Sequence, residues 1–388
     1  MILYRVQVGA YALKNNATKV CADLIEKGFK PATLKENGLY KVQIGSFADK
    51  ANAEKRLAEV MKFVKYKNAK ILQFDDGKSA AEPAVPVITP DEPEKVFHPV
   101  IDFVAIWLTE SCESKYGDAQ VFIEHDADGA ISHAVLVDTG MNGTDTVKKL
   151  QKLGVKTLDA VVISHAHGDH YGYLTTVLDK FRVLHLYLPS VVGVKKYQPG
   201  YAKAIYNQET KAKKKNIPVT YMTTGSSFTA GHIRCDCIFQ CDAKELADHG
   251  NHIFINNMSI GTLFTLDGVG RVLLTGDLSN DGNKQFMSKA TRPTVDIAKC
   301  GWHGDGNAMT TSYAKWINAK MWYWNYHHKE SQGGRGNTRK KLVAAGVSIK
   351  NIFKNYEDGD IKFRYYAGYW NITTSKSKRN MQVKARLA

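Results

Sequence analysis

The chain has 388 residues, 44% of them hydrophobic, and a formal net charge of +15, from 53 Lys and Arg against 38 Asp and Glu. That length and apolar content exclude a disordered polyelectrolyte and call for more than one packed domain. No apolar run approaches the ~20 residues of a membrane span, and the basic surplus suits polyanionic surroundings without choosing among nucleic acid, teichoic acid and an anionic wall. The first predicted elements form a repeat: YRVQVGAY (Tyr4–Tyr11) returns as YKVQIGSF (Tyr40–Phe47), 36 residues on, counted from Gln7 to Gln43. Each copy alternates as a half-buried strand does. Each runs into a helical pattern, Ala17–Lys27 closed by Gly28, and Lys50–Phe63 with Ala53, Leu57, Val60 and Met61 on one stripe. A further strand follows each, Lys30–Leu34 and Ala69–Phe74, so residues 1–75 read as βαββαβ, a small sheet carrying both helices on one face.

The repeat resembles the SPOR (sporulation-related repeat) domain over residues 2–75. The resemblance implies binding to peptidoglycan, to glycan strands stripped of their stem peptides. Under it Gln7, Gln43, Tyr11 and Phe47, together with Tyr4 and Tyr40, are the expected sugar-binding residues. Glutamine amides bond hydroxyls and aromatic faces stack on sugar rings. The competing expectation is that the rings are core and the amides brace the strands. Residues 76–99 hold five of the ten prolines, Pro83, Pro86, Pro90, Pro93 and Pro99, and read as an extended spacer.

From residue 100 strands interleave with helices. Strands are expected at Val100–Leu108, after the Gly117-Asp118 turn, at Ala134–Asp138, Leu158–Ile163, His185–Pro189, Pro218–Met222, Ile233–Phe239, Ser259–Leu266 and Arg271–Thr275. Helices are expected at Thr144–Leu153, Lys203–Lys215 and Thr311–Asn318. Many strands with few helices predict an α+β chain whose second domain, 100–370, is a four-layer αββα sandwich. Its six cysteines lack framework spacing, and Cys235, Cys237 and Cys241 read as strand residues. The segment Lys195–Lys215 mixes lysines with Tyr197, Tyr201 and Tyr206, which reads either as a phosphate-backbone groove or as a solvated helix face. Residues 371–388 read as a mobile basic tail carrying Lys376, Lys378, Arg379, Lys384 and Arg386.

The chemistry concentrates in SHAHGDH, Ser164–His170, directly after a buried-strand run. Imidazole and carboxylate are the ligands for zinc, iron or manganese at a hydrolytic site. His165 and His167, two apart, reach one metal; Asp169 and His170 address a second position, about 3.5–4 Å away in two-metal sites. Asp277 ends the strand Val272–Gly276 and suits a bridging carboxylate, His303 ends the segment after Asp296, and Asp138 is placed to orient a ligand histidine.

In this order, Gly117-Asp118-Ala119, Asp138-Thr139-Gly140, His165–His170, Thr275-Gly276-Asp277 and His303 resemble the metallo-β-lactamase-fold hydrolases over residues 100–350. The competence-type and phosphorylcholine-esterase-like branches look most similar. The resemblance implies that His165 and His167 hold one divalent ion and Asp169, His170 and His303 a second, with Asp277 bridging and Asp138 behind a ligand. One or two ions are expected, zinc first, manganese or iron as alternatives, with Asp169 and His167 the catalytic pair. His327 and His328 are expected to reach substrate. The family's third histidine for the first ion has no match at Leu186–Ser190, and His232, His249 and His252 fall in the interval without matching, so water or a substrate oxygen is expected there. The reading is therefore a metal-dependent phosphoesterase directed to peptidoglycan glycan strands, with teichoic-acid substituents as candidate substrates. Alternatives are a competence-type nuclease acting on DNA and a wall-binding protein with a degenerate site. Domain content implies the wall, the extracellular space or a virion. Met1–Arg5 shows no export signal, which implies the cytoplasm.

Overall fold

The structure, a computed structural model, describes residues 2–11, 14–36, 39–63, 66, 69–75, 98–110, 116–326 and 335–386. Nearly all of the proline-rich spacer, and His327 and His328, lie outside the described residues. The chain divides into two compact units, Met1–Lys95 and Val96–Ala388. Among the described residues no helix is long and apolar enough to cross a membrane.

The first unit runs β1 (Ile2–Tyr11), α1 (Lys14–Glu26), β2 (Pro31–Glu36), β3 (Leu39–Phe47), α2 (Lys50–Met61), β4 (Lys70–Asp75). Its sheet has the order β2-β3-β1-β4, antiparallel throughout. Period two turns Val6, Val8, Val42 and Ile44 onto Ala17, Val20, Leu24 and Val60 of the helices. Asp49 caps α2 by accepting from the Ala51 N–H. The repeat has a structural reason. The Tyr11 ring lies over Gly9, where a Cβ would collide with it, and the Phe47 ring lies over Gly45 in the same way. Gln7 and Gln43 face each other across β1 and β3 and are buried. Gln7 Oε1 and Gln43 Nε2 make no hydrogen bond.

The second unit begins β5 (Val100–Ala105), β6 (Gln120–His125), β7 (Ile131–Val137), α3 (Thr146–Lys152), β8 (Thr157–Leu158), β9 (Ala160–Val162), α4 (Gly168–Tyr171), α5 (Leu174–Lys180), β10 (Arg182–Val183), β11 (Leu186–Pro189), α6 (Pro199–Lys213) and β12 (Val219–Met222). It continues β13 (Ser227–Ala230), β14 (Ile233–Phe239), α7 (Asn251–Asn257), β15 (Gly261–Leu266), β16 (Gly270–Leu274), α8 (Asn280–Lys289), β17 (Ile297–Lys299), α9 (Thr311–Ile317) and β18 (Met321–Trp324). It ends α10 (Arg335–Ala344), β19 (Ile352–Lys354), α11 (Asn355–Asp358), β20 (Ile361–Tyr366), β21 (Tyr369–Thr374), β22 (Asn380–Lys384).

Two mixed sheets result. One is β12-β11-β9-β7-β6-β5-β20-β21-β22, the other β13-β14-β15-β16-β17-β18-β19. Alternate residues divide between two cores. Phe103, Phe122, Phe264, Val272, Phe363 and Trp370 fill the space between the sheets. Val121, Ile123, Leu263 and Leu273, one position out of phase, meet the helices on the outer faces. Phe122 stacks on Phe264 of the opposite sheet with ring centroids 4.1 Å apart. This is the expected αββα sandwich. Strands β7, β9, β11 and β12 are parallel, as are β16 to β19. Loops leaving their C-terminal ends build the site, the usual place for one in such sheets.

One expectation is overturned. Residues 371–386 are not a mobile tail: β21 and β22 close the nine-stranded sheet as an antiparallel hairpin. Trp370 and Ile372 alternate into the core, a period-two signal overlaid by the lysines and arginine that follow. Two of those cations are held on rings, Lys376 over Trp107 and Arg379 over Phe353 at 4.0 Å.

Candidate metal centre

Strand β9 is a buried run, Ala160–Val162, and it ends at a loop tied down on both sides. The Thr139 N–H and hydroxyl both donate to the His170 carbonyl, at 2.7 and 3.0 Å, and the Asp118 N–H donates to the Asp169 carbonyl at 3.1 Å. The loop then enters the short helix α4 with His167 at its N-cap. His165 and His170 are fully buried, while His167 and Asp169 are half-buried at the mouth.

The tautomers follow from the neighbours. The Ser164 hydroxyl donates to Asp138 Oδ2 at 2.7 Å, so its oxygen is left to accept from His165 Nδ1 at 3.1 Å. His165 Nε2 then carries a lone pair, and it faces His167 Nδ1 at 3.1 Å. Two ligands about 2.0–2.1 Å from one tetrahedral ion stand roughly 3.3 Å apart, which this pair matches. Burial above all holds His165 well below the ordinary imidazole value and brings His167 down to about 4, so both rings are neutral at pH 7.

His170 and His303 are each backed by an aspartate. His170 Nδ1 donates to Asp138 Oδ2 at 2.8 Å, and His303 Nδ1 donates to Asp118 Oδ1 at 3.2 Å. Their Nε2 atoms face Asp277 Oδ2 at 3.2 and 3.1 Å, and His303 Nε2 also faces Asp169 Oδ2 at 3.0 Å. His170 Nε2 makes no directed hydrogen bond there, despite complete burial. Burial alone would lower both rings. The carboxylates, Asp277 foremost, hold them well above the ordinary value instead. Four carboxylates, Asp118, Asp138, Asp169 and Asp277, share this place with one ammonium, Lys299. A buried anionic surplus with converging imidazole nitrogens is a donor set fitted to divalent cations. Asp118, His170, Asp277 and His303 offer ligand atoms all within 4.8 Å of one another.

Backbone strain marks the same spot. Asp138, Trp302 and His303 hold left-handed φ values of 56°, 47° and 50°, uncommon for residues with side chains. Asp277 is fixed from below, its N–H donating to Ser259 Oγ at 2.9 Å, and Ser259 Oγ in turn to the Asn256 carbonyl of α7 at 2.7 Å.

The structure thus brings together His165, His167, Asp169, His170, Asp277 and His303, with Asp138 behind His170. It adds residues the sequence reading passed over. His252 of α7, thought not to match the missing third histidine, stacks on His167 at 4.6 Å and contacts Trp302 at 5.5 Å. Its one signal in the sequence was its place between the His165–His170 loop and the Gly276-Asp277 strand. The other two candidates are engaged elsewhere, His232 with Glu124 and His249 with Asp281. Asp118 repeats for His303 what Asp138 does for His170, and Lys299 joins Asp118 to Asp277. Gln7, Gln43, Tyr11 and Phe47 belong to the first unit.

Around the rim, β11 runs parallel beside β9, so its exit Ser190–Gln198 leaves the sheet at the same end as the His165–His170 loop. Lys195 and Lys196 are exposed on this exit and Lys203 in the first turns of α6, whereas Lys214, past the C-terminal end of α6, lies toward the opposite end of the sheet, where parallel β12 begins. Lys213 pairs with Glu209 at 2.7 Å, Lys215 pairs with Asp179, and Tyr201 is buried with its hydroxyl on the Met258 carbonyl. The segment is therefore not a continuous groove of basic and aromatic residues.

Residues 2–71 match the SPOR domain, and residues 122–231 match the metallo-beta-lactamase superfamily. ComE operon protein 3 of Bacillus subtilis (strain 168) is 21% identical over 220 residues, 55% of this chain and 25% of that protein. The chain therefore spans about a quarter of that relative's length. Among solved structures, the peptidoglycan binding domain of the B. subtilis cell wall lytic enzyme CwlC is 37% identical over 19% of this chain and 92% of its own, with a TM-score of 0.18. CmlA, a diiron beta-hydroxylase from Streptomyces venezuelae, is 13% identical over 70% of this chain and 54% of its own, with a TM-score of 0.45. The chain joins an N-terminal SPOR domain to a domain of the metallo-beta-lactamase superfamily.

Proposed function

We propose that the chain is a metal-dependent phosphoester hydrolase held at the bacterial cell wall by its SPOR domain. The observation that carries this reading is the convergence of imidazoles and carboxylates from the ends of β7, β9, β16 and β17 on one anionic, strained and partly open place. His165, His167 and His252 would hold one ion, Asp169, His170 and His303 a second, and Asp277 would serve both. Zinc suits this imidazole-rich set, and manganese and iron are the other candidates. When bound, divalent cations supply Lewis acidity toward a phosphoryl oxygen and bring water ionisation near pH 7.

The protein's own groups do the rest. Asp138 and Asp118 lock the rings of His170 and His303, so that Nε2 and not Nδ1 is presented. Asp169, half-buried at the mouth, would align the attacking water by accepting a hydrogen bond from it. Burial alone would raise its carboxyl; the neighbouring His170 and His303 outweigh desolvation and hold it ionised, well below the usual range. Metal content, measured beside hydrolysis of bis(p-nitrophenyl) phosphate, tests the reading. Protein that takes up no zinc, manganese or iron and hydrolyses nothing would support a binding-only wall protein instead.

The SPOR domain supports wall targeting, and the +15 charge suits any polyanionic substrate, teichoic-acid esters of the wall among them. Full-length protein is expected to co-sediment with glycan strands freed of stem peptides. Tyr11→Ala with Phe47→Ala is expected to weaken that binding roughly tenfold, if the rings stack on sugar. Unchanged sedimentation with a lower melting temperature would assign both rings to the core.

A nuclease reading draws on Lys195, Lys196 and Lys203, exposed along the segment that starts at the site's end of the sheet. It predicts that log affinity for duplex DNA falls with log salt at a slope of about −2.7 or steeper, as about three phosphate contacts require. A shallow slope or no binding leaves the wall polymer.

A further inference from the structure

We infer that Lys299 is a built-in counter-cation of the metal centre, which lets the site fold before it is loaded and limits how tightly it holds its ion. The inference rests on the metal-dependent reading above. Lys299 ends β17 and is 1% exposed. Its Nζ stands 2.6 Å from Asp118 Oδ2 and 3.3 Å from Asp277 Oδ1, and donates to the Gly276 carbonyl at 2.7 Å. Those two carboxylates are the ones that turn their other oxygens to the histidines. Asp118 Oδ1 faces His303 Nδ1, and Asp277 Oδ2 faces the Nε2 atoms of His170 and His303.

The ammonium therefore sits behind Asp277, which the proposed ions would meet from the front, and beside Asp118, which reaches them only through His303. Its three protons have three fixed oxygen acceptors, the Gly276 and Cys300 carbonyls and Asp277 Oδ1, while Asp118 Oδ2 is met as an ion pair. Without it, two completely buried carboxylates would lose the lysine that pairs with both and keep only His170 and His303 as counter-charge in the metal-free protein, and burying such charge under-compensated is unfavourable. With it, Asp277 is held in place in the metal-free protein. The same positive charge also repels a divalent ion a few ångströms away. Lys299 is thus a positioning residue with two opposite effects, stabilising the empty scaffold and weakening ion binding.

Lys299→Met separates these effects. The melting temperature of the metal-free protein is expected to fall by on the order of 10 °C. Zinc is expected to restore most of that loss, and zinc affinity, read by competition with a chromophoric chelator, to tighten at least about tenfold. Equal losses with and without zinc, or weaker zinc binding, would overturn the inference and leave Lys299 a purely structural brace, with the metal reading intact. Wild-type protein that takes up no zinc, manganese or iron would overturn the metal reading and the inference together. If Lys299→Met does not fold without metal, Lys299→Met with Asp118→Asn decides. Removing charge and counter-charge together should give a more stable metal-free protein than Lys299→Met alone. No gain from the second change would overturn the inference.

Discussion

Replacing His167 and Asp169 together by alanine is expected to lower hydrolysis of bis(p-nitrophenyl) phosphate by on the order of a thousandfold or more. In the same protein bound zinc should fall from near two equivalents to one or none. The two side chains serve different ions in the proposed centre, and both lie at its mouth. His167 is the neutral imidazole whose Nδ1 meets His165 Nε2 at 3.1 Å, and Asp169 presents Oδ2 to His303 Nε2 at 3.0 Å. Because both are half-buried on a strand-end loop, the change should leave the sandwich cores intact. The variant is expected to melt within a few degrees of metal-free wild type. Wild-type protein stripped with a chelator should match the variant in rate and recover on adding zinc, whereas the variant should not. Retention of both metal and rate in the variant would sink the assignment of this loop.

The loop was legible because its parts are contiguous. Three histidines and an aspartate within six residues after a buried strand need no tertiary information to be seen as one site. What supports them was not legible, because it comes from far along the chain. Asp118 reaches His303 across 185 residues, and the Lys299 ammonium meets Asp118 only because β17 and the turn before β6 end at the same place. His252 was discounted by comparing positions in the sequence. Its contact with His167 depends on the placement of α7, which the Asn256–Ser259–Asp277 hydrogen bonds fix.

The fold shows the same division. Strands with clear alternation, β3 and β14 among them, could be read directly, and so could the repeat in the first unit. The helices α4 and α11 could not, since four residues give no period to detect. The final hairpin was missed for another reason. Lys376, Lys378, Arg379, Lys384 and Arg386 dominate its composition, while Trp370 and Ile372, which commit it to the core, fall at its start. Gln7 and Gln43 show the limit of reading motif residues as binding residues. The repeat that marks them also aligns them across β1 and β3, where they are buried.

Gly117→Ala is the change expected to do most damage without removing any donor of the site. Gly117 has φ +123°, a conformation that side chains rarely adopt, and a Cβ there would collide with the Asp169 carbonyl oxygen. Backbone strain and overpacking together should destabilise the second unit by about 2–5 kcal/mol. The functional loss should exceed what stability alone explains. Relief requires either the Asp169 carbonyl or the turn ahead of β6 to move, and both are coupled to the centre. Asp169 carries a proposed ligand, and Asp118, the next residue, holds His303 Nδ1 at 3.2 Å and the Lys299 ammonium at 2.6 Å. A shift of a few tenths of an ångström on either side misaligns a ring that must present Nε2, so hydrolysis should fall at least about a hundredfold and zinc binding should weaken. Gly129→Ala is the matched control: its φ is +81°, and nothing lies within 4 Å of the added methyl. It should show the backbone strain alone, about 1 kcal/mol, with metal content and rate unchanged. If Gly117→Ala behaves as Gly129→Ala does in zinc content and rate, the close approach of this turn to Asp169 has no part in shaping the centre.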